Sequence, residues 1–279
     1  MPSARAEVLT AVAVEALRER VYAHYRDHGR HDLPWRQTRD PYAVLVGEVM
    51  LQQTQVARVV PYYEEWLASF PTPAALAAAP LEAVLRTWQG LGYNRRAIAL
   101  TRAAGVIAAE HGGEVPRDRE ALLALPGVGP ATAAGVRAFA FGEPDIYLET
   151  NVRAVFLHEF FADAEGVPDS AILPLLEQTL DRSDPRRWYW ALLDYGAHLK
   201  RTLPNPSRRS RHHTRQSPFE GSHRQVRSRL LRAVMEVPGG TADDLAGATG
   251  AAPERVVRAL DELVSEGFLA EESGRYRVR

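Results

Sequence analysis

The sequence predicts an all-α main body over residues 1–202, a basic connector over 203–223 and a small winged-helix-like module over 224–279. Three observations predict it. Alanine and leucine recur at helical spacing up to residue 202, and Pro or Gly punctuates the breaks (Pro71, Pro73, Pro80, Gly90, Gly92, Pro116, Pro126, Gly142, Pro144). No succession of alternating strands interrupts that pattern. Beyond residue 200 the composition turns to Arg and His with almost no acid, and then returns to short amphipathic segments.

Taken in order, the periodicity places helices over 8–28, 41–56, 57–69, 74–78, 81–88, 93–112, 118–124, 130–140, 150–162, 169–181 and 186–200. Pro204-Asn205-Pro206-Ser207 then argues against regular structure, and 203–222 reads as extended chain rich in Arg208, Arg209 and Arg211. A helix over 224–236 stops at Pro238-Gly239-Gly240. Thr241 can cap a short helix. Pro253 opens a third, with Val256, Val257, Leu260, Leu263 and Val264 at helical spacing. Phe268-Leu269-Ala270 and Arg275-Tyr276-Arg277-Val278 form a two-stranded hairpin around Ser273-Gly274.

Composition excludes several classes of function. The 279 residues hold 34 Lys and Arg against 35 Asp and Glu, a net charge of −1, so any nucleic-acid surface has to be local. There is no cysteine, which rules out disulfides, thiol nucleophiles and thiolate-held iron–sulfur or zinc centres. No run reaches the ~18 apolar residues that a membrane span needs, and no signal-peptide pattern opens the chain. The expected setting is the cytoplasm, on the nucleoid, as a monomer.

Two local features carry chemistry. Leu125-Pro126-Gly127-Val128-Gly129 joins two helices, and Gly127 and Gly129 let the backbone turn sharply with its N–H groups uncovered. Such a turn can receive a phosphate and fixes position on DNA without reading a base. About twenty residues on, Leu148-Glu149-Thr150-Asn151-Val152 puts a carboxylate at the start of an apolar helix. Glu48 is a second carboxylate inside an apolar run, Val44-Leu45-Val46-Gly47 before it and Val49-Met50-Leu51 after it, which suits a raised pKa.

Leu33-Pro34-Trp35-Arg36, Glu48 to Val56 with its Gln52-Gln53-Thr54-Gln55, Trp88-Gln89-Gly90-Leu91-Gly92-Tyr93 and the Gly hairpin occur in this order. Together they resemble the helix–hairpin–helix DNA glycosylase superfamily over about residues 30–200, and most of all its adenine DNA glycosylase, MutY-like branch. The resemblance implies two helical lobes around a cleft and double-stranded DNA with a lesion or mismatch as the partner. It implies Glu48 as the acid that protonates the departing base and Glu149, where the family has Asp, as the group that stabilises the sugar cation. It implies Gln52 and Gln53 as a wedge in the duplex, Gly127 and Gly129 as phosphate contacts, and the carbonyls of Leu123, Leu125 and Val128 as ligands of a structural monovalent cation. Trp190 and Asp194 fall at base-pocket positions.

The chemistry asks for two carboxyls independently of that resemblance. Breaking an N-glycosidic bond builds positive charge on C1′ and negative charge on the base, so one acid must hold its proton and the other must stay ionised. The target must also leave the stack.

Departures from the family sharpen the expectation. Pro130-Ala131-Thr132 lacks the lysine of bifunctional members, and the cluster cysteines are missing. The connector arginines Arg208, Arg209 and Arg211 can replace the cluster loop's contact with DNA. Trp190 stands where an adenine-reading Gln or Glu is usual, and the small module stands where the branch carries its 8-oxoguanine-reading domain. The expected function is a monofunctional DNA glycosylase of base excision repair, without iron–sulfur cluster, acting on a damaged or mispaired base. The alternatives are an adenine-mispair glycosylase of the ordinary kind and a non-catalytic binder of DNA structure.

Overall fold

A computed structural model describes residues 8–214 and 218–279. In chain order its helices are α1 (Ala11–His28), α2 (Pro41–Leu51), α3 (Val56–Ser69), α4 (Pro73–Ala78), α5 (Leu81–Trp88), α6 (Arg95–Glu110), α7 (Arg119–Ala124), α8 (Pro130–Val136), α9 (Thr150–Phe160), α10 (Asp169–Thr179), α11 (Pro185–Thr202), α12 (His223–Glu236), α13 (Ala242–Thr249) and α14 (Pro253–Ser265). Three strands, β1 (Gly240–Thr241), β2 (Leu269–Glu272) and β3 (Arg275–Val278), complete the chain. It divides into two compact units, one of residues Met1–Gln52 and Glu110–Thr214, the other of Gln53–Ala109 and Arg215–Arg279.

The first unit is built on α2, α8, α9 and α11. Asp40 caps α2 by accepting from Tyr42 N at 3.1 Å, Pro41 takes the first-turn position, and Tyr42 to Gly47, Val49 and Met50 are buried. α11 lies hard against the start of α9, because a Cβ at Gly196 would overlap the Asn151 backbone. That close approach is the physical reason for glycine at this position.

The second unit joins α3–α6 to the C-terminal module through one core. Leu85 of α5 and Ile98 of α6 pack with Leu230, Val234, Leu260, Leu263 and Phe268 of the module, and Leu81 lies against them. Arg86 Nη2 donates to Met235 O at 2.7 Å, and Arg224 donates to the Tyr93 hydroxyl at 2.8 Å. The module runs α12–β1–α13–α14–β2–β3, with a capping box of Thr241 and Asp244 on α13.

Three expectations change. The helix expected over 41–56 stops at Leu51: Gln52 leaves the helical region with ψ 113°, and Gln53 takes a left-handed φ of 54°. The wing is three-stranded, in the order β1-β3-β2, because Gly240 and Thr241 pair with Tyr276 and Arg275. The connector is ordered over its first half. Asn205 caps a single 3-10 turn at Pro206–Arg209, Ser207 and Ser210 are buried, and Val167 N donates to Arg209 O while Arg211 N donates to Val167 O. Pro206, one of the two prolines that argued against structure, supplies the first-turn position of that turn instead. Part of the expected connector, residues 215–217, lies outside the described residues.

Candidate active site

The acid Glu48 sits on a helix whose other residues are nearly all buried and apolar. The residue is half-buried, but its carboxyl is enclosed between Tyr147 and the backbone of α8 at Gly135, where a Cβ would overlap Oε2. Burial pushes the Glu48 carboxyl up to about 8, the Tyr147 hydroxyl that donates to it works in the opposite direction, and the charge of Glu149 adds to the rise. Glu48 therefore holds its proton at neutral pH.

Glu149 is the N-cap of α9. Its Oε1 accepts from Asn151 N at 2.5 Å and Val152 N at 2.9 Å, and Oε2 lies 3.4 Å from Asn151 Nδ2. Burial raises this carboxyl too, against the two backbone N–H groups and the charges of Lys200 and Arg153, which favour the ionised form. The two acids thus differ in what opposes burial. Two N–H donors and two cations favour charge on Glu149; one hydroxyl favours it on Glu48. That asymmetry favours the protonated form on Glu48 over Glu149. Lys200, the only lysine of the chain, donates to Asn151 Oδ1 at 3.1 Å and so steadies the residue beside Glu149.

Tyr147 and Gly135 were missed from sequence. Tyr147 is buried, its ring packs edge-on against Phe139 and Tyr189, and its N–H donates to the Tyr189 hydroxyl at 3.2 Å. Burial holds the Tyr147 hydroxyl far above the ordinary phenol value, so it donates a hydrogen bond and does not ionise. A donor on one carboxyl oxygen of Glu48 leaves the acidic O–H on the other. Tyr147 thereby fixes the direction in which Glu48 presents its proton. No periodicity marks such a residue, although an aromatic two positions before the acid of the Leu-Glu-Thr-Asn motif was a visible signal.

The hairpin has the expected form. Gly127 adopts φ 78°, Val128 N donates to Leu125 O at 3.1 Å, and Gly129 is the N-cap of α8 with Pro130 following. α8 also carries Thr132, whose hydroxyl accepts from Gln52 Nε2 at 3.1 Å. The helix that leaves the hairpin therefore touches both Gln52 and, through Gly135, Glu48.

Other predicted residues lie elsewhere. Asp194 is buried and holds Arg36 through Nη1 at 2.8 Å and Nη2 at 2.9 Å, and it accepts from Arg30 N at 2.8 Å. Burial would raise its carboxyl, but the hydrogen bonds and charge of Arg36, joined by Arg30, hold it below the usual range. It anchors the 30–36 segment through Arg30 and Arg36. Trp188 and Tyr189 are buried, while Trp190 is half-buried. Trp190 stacks on Phe139 at 6.0 Å, with Arg186 4.4 Å and Arg36 5.5 Å from its ring centroid. Arg208 and Arg211 are exposed, whereas Arg209 is half-buried and reaches Leu157 O at 3.5 Å. Among the described residues no helix is long and apolar enough to cross a membrane.

Residues 46–173 match the model of the HhH-GPD superfamily base excision DNA repair proteins. The chain is 41% identical over 174 residues to an adenine DNA glycosylase of Mycolicibacterium smegmatis, covering 61% of this chain and 59% of that protein. It is 36% identical over 275 residues to an adenine DNA glycosylase of Mycobacterium tuberculosis, covering 88% and 87%. Among solved structures it is similar to a thermostable thymine-DNA glycosylase, with TM-score 0.59, 27% identity and coverage of 66% of this chain and 86% of that one. A hairpin, two buried carboxyls and a match along most of the length of a relative agree: the chain belongs to the HhH-GPD superfamily of base excision DNA repair proteins and is a DNA glycosylase.

Proposed function

We propose that this glycosylase takes a damaged or mispaired base out of duplex DNA and hydrolyses its N-glycosidic bond without an amine nucleophile. The observation that carries the proposal is the enclosed Glu48, with its carboxyl at about 8 beside a Glu149 held by cations and N–H groups. Glu48 delivers its proton to the departing base, directly or through water. Glu149 faces the developing sugar cation or directs the attacking water. Ala131 follows Pro130 where an amine would be needed, and Lys200 is engaged with Asn151. The products are a free base and an abasic site.

Binding is proposed through the N–H groups of the Gly127–Gly129 turn, through Gln52 and Gln53 beside the extruded nucleotide, and through Arg208 and Arg211. The carbonyls of Leu123, Leu125 and Val128 suit a monovalent cation. Leu125 O already closes the turn with Val128 N and keeps a second lone pair for an ion. Such an ion would supply positive charge toward a phosphate.

The substrate proposed is not primarily adenine opposite 8-oxoguanine. Trp190 offers one N–H and no acceptor where adenine is usually read. Without a paired donor and acceptor at that position to select adenine, several bases are expected to serve. The test is single-turnover incubation with duplexes carrying adenine mispairs, uracil and thymine opposite guanine, hypoxanthine and alkylated bases, followed by alkali. Alkali-dependent cleavage of damaged, deaminated or mispaired substrates is expected. Cleavage confined to adenine opposite 8-oxoguanine would overturn the substrate reading, and no cleavage of any duplex would overturn the catalytic one.

A further inference from the structure

The first unit holds a basic concavity that the proposed reaction does not use. It measures about 740 Å³ and is lined by Arg26, Arg36, Arg39, Arg186 and Arg187, with Asp184 the one carboxylate among its walls. Phe139 and Tyr147 stand between its Trp190 wall and Glu48, as the stacked pair Trp190–Phe139, the edge-on pair Phe139–Tyr147 and the Tyr147–Glu48 hydrogen bond show.

Charge in this concavity is unbalanced. Arg36 is neutralised by Asp194, and Arg26 bonds Asp27. Arg39, Arg186 and Arg187 form no ion pair among the described residues. Arg186 is 8% exposed, gives Nη2 to Arg36 O and Thr38 O, and leaves Nη1 without a hydrogen-bond partner. Burial and the like charge of Arg39 both work against the Arg186 cation, so an incoming anion would relieve two costs at once. Asp184 opposes an anion, but its carboxylate is turned to the helix, where it accepts from Arg187 N at 3.1 Å.

We infer that this concavity binds the sugar–phosphate backbone of a DNA strand, as a contact separate from the hairpin. Three features select backbone over a base or a small anion. The Trp190 ring already has Phe139, Arg186 and Arg36 of the protein itself as partners, which leaves it a poor platform for a base. Arg39 and Arg187 are exposed and stand on long flexible side chains. The volume also exceeds what a single phosphate fills. In a chain of net charge −1 this is the kind of local basic surface that DNA binding requires. The inference rests on duplex DNA being the partner.

The experiment compares the wild-type protein, Arg39→Ala/Arg187→Ala, and the charge-matched control Arg20→Ala/Arg182→Ala, whose arginines already pair with Glu159 and Glu177. Fluorescence anisotropy of a labelled duplex carrying a tetrahydrofuran abasic analogue is read across a salt titration, and inorganic phosphate is titrated separately. The double variant is expected to bind more weakly at low salt and to lose roughly one unit of log–log salt slope per phosphate contact removed, with the control unchanged. An unchanged slope overturns the inference. So does inorganic phosphate binding that needs Arg39 and Arg187 while the DNA slope stays the same, which would make this a site for a free anion. Single-turnover excision at saturating protein keeps the two readings apart. If the wild type excises no base, the catalytic proposal fails while the slope still decides this one.

Discussion

Glu48→Gln is expected to lower single-turnover excision by about 10²–10⁴-fold, the range for loss of a positioned general acid, while duplex affinity stays near wild type. The amide keeps the shape and the contact with Tyr147 but has no proton to give at useful acidity. The linked effect on stability separates this loss from unfolding. Glu48 is raised in the folded state, so its contribution to stability is full below its unfolded value of 4.5 and is lost as pH rises through about 8. Glutamine never ionises. Glu48→Gln should therefore unfold at a higher temperature than wild type above pH 8 and lose that advantage in acid. A variant that is both inactive and less stable at high pH would mean that Glu48 is a packing residue.

Glu149→Gln is expected to cost about 10²–10³-fold in excision, the usual price of losing one charge-stabilising group beside a transition state. Its remaining carbonyl can still accept from Asn151 N and Val152 N, so the start of α9 survives. Glu149→Asp is more informative. Aspartate is a good N-cap and keeps its charge, but the carboxylate is drawn back by about 1.5 Å, one C–C bond. Activity between that of wild type and Glu149→Gln, with unchanged thermal stability, would show that reach toward the sugar matters and not the cap alone. Equal rates for all three proteins would leave Glu149 as a helix cap only.

Much of this site was legible because its parts are local. Gly127 and Gly129 imply a turn wherever they occur between two helices, and the turn has the expected positive φ at Gly127. Glu48 stood out as a charge within an apolar run, and Glu149 as an acid at a helix start, which is where it sits. What escaped was set by contacts between distant segments. Gln52-Gln53-Thr54-Gln55 contains no Gly or Pro, so helical propensity ran through it, yet the backbone turns at Gln53. The C-terminal module looked self-contained because its own periodicity is complete. Its core in fact takes in Leu85 and Ile98 from more than a hundred residues earlier. Tyr147 and Gly135 follow the same rule: each matters only because the fold brings it to Glu48.

The account stands most directly on the proton held by Glu48, and the pH dependence of single-turnover excision measures it. Wild-type activity should fall above about pH 8, as Glu48 loses the proton it must donate. Tyr147→Phe removes the hydrogen bond that lowers that value, so its alkaline limb should move to higher pH even as its maximal rate drops through poorer aim. A wild-type rate that stays flat well beyond pH 8, or a Tyr147→Phe limb at the wild-type position, would contradict the assignment of Glu48 as the acid steered by Tyr147.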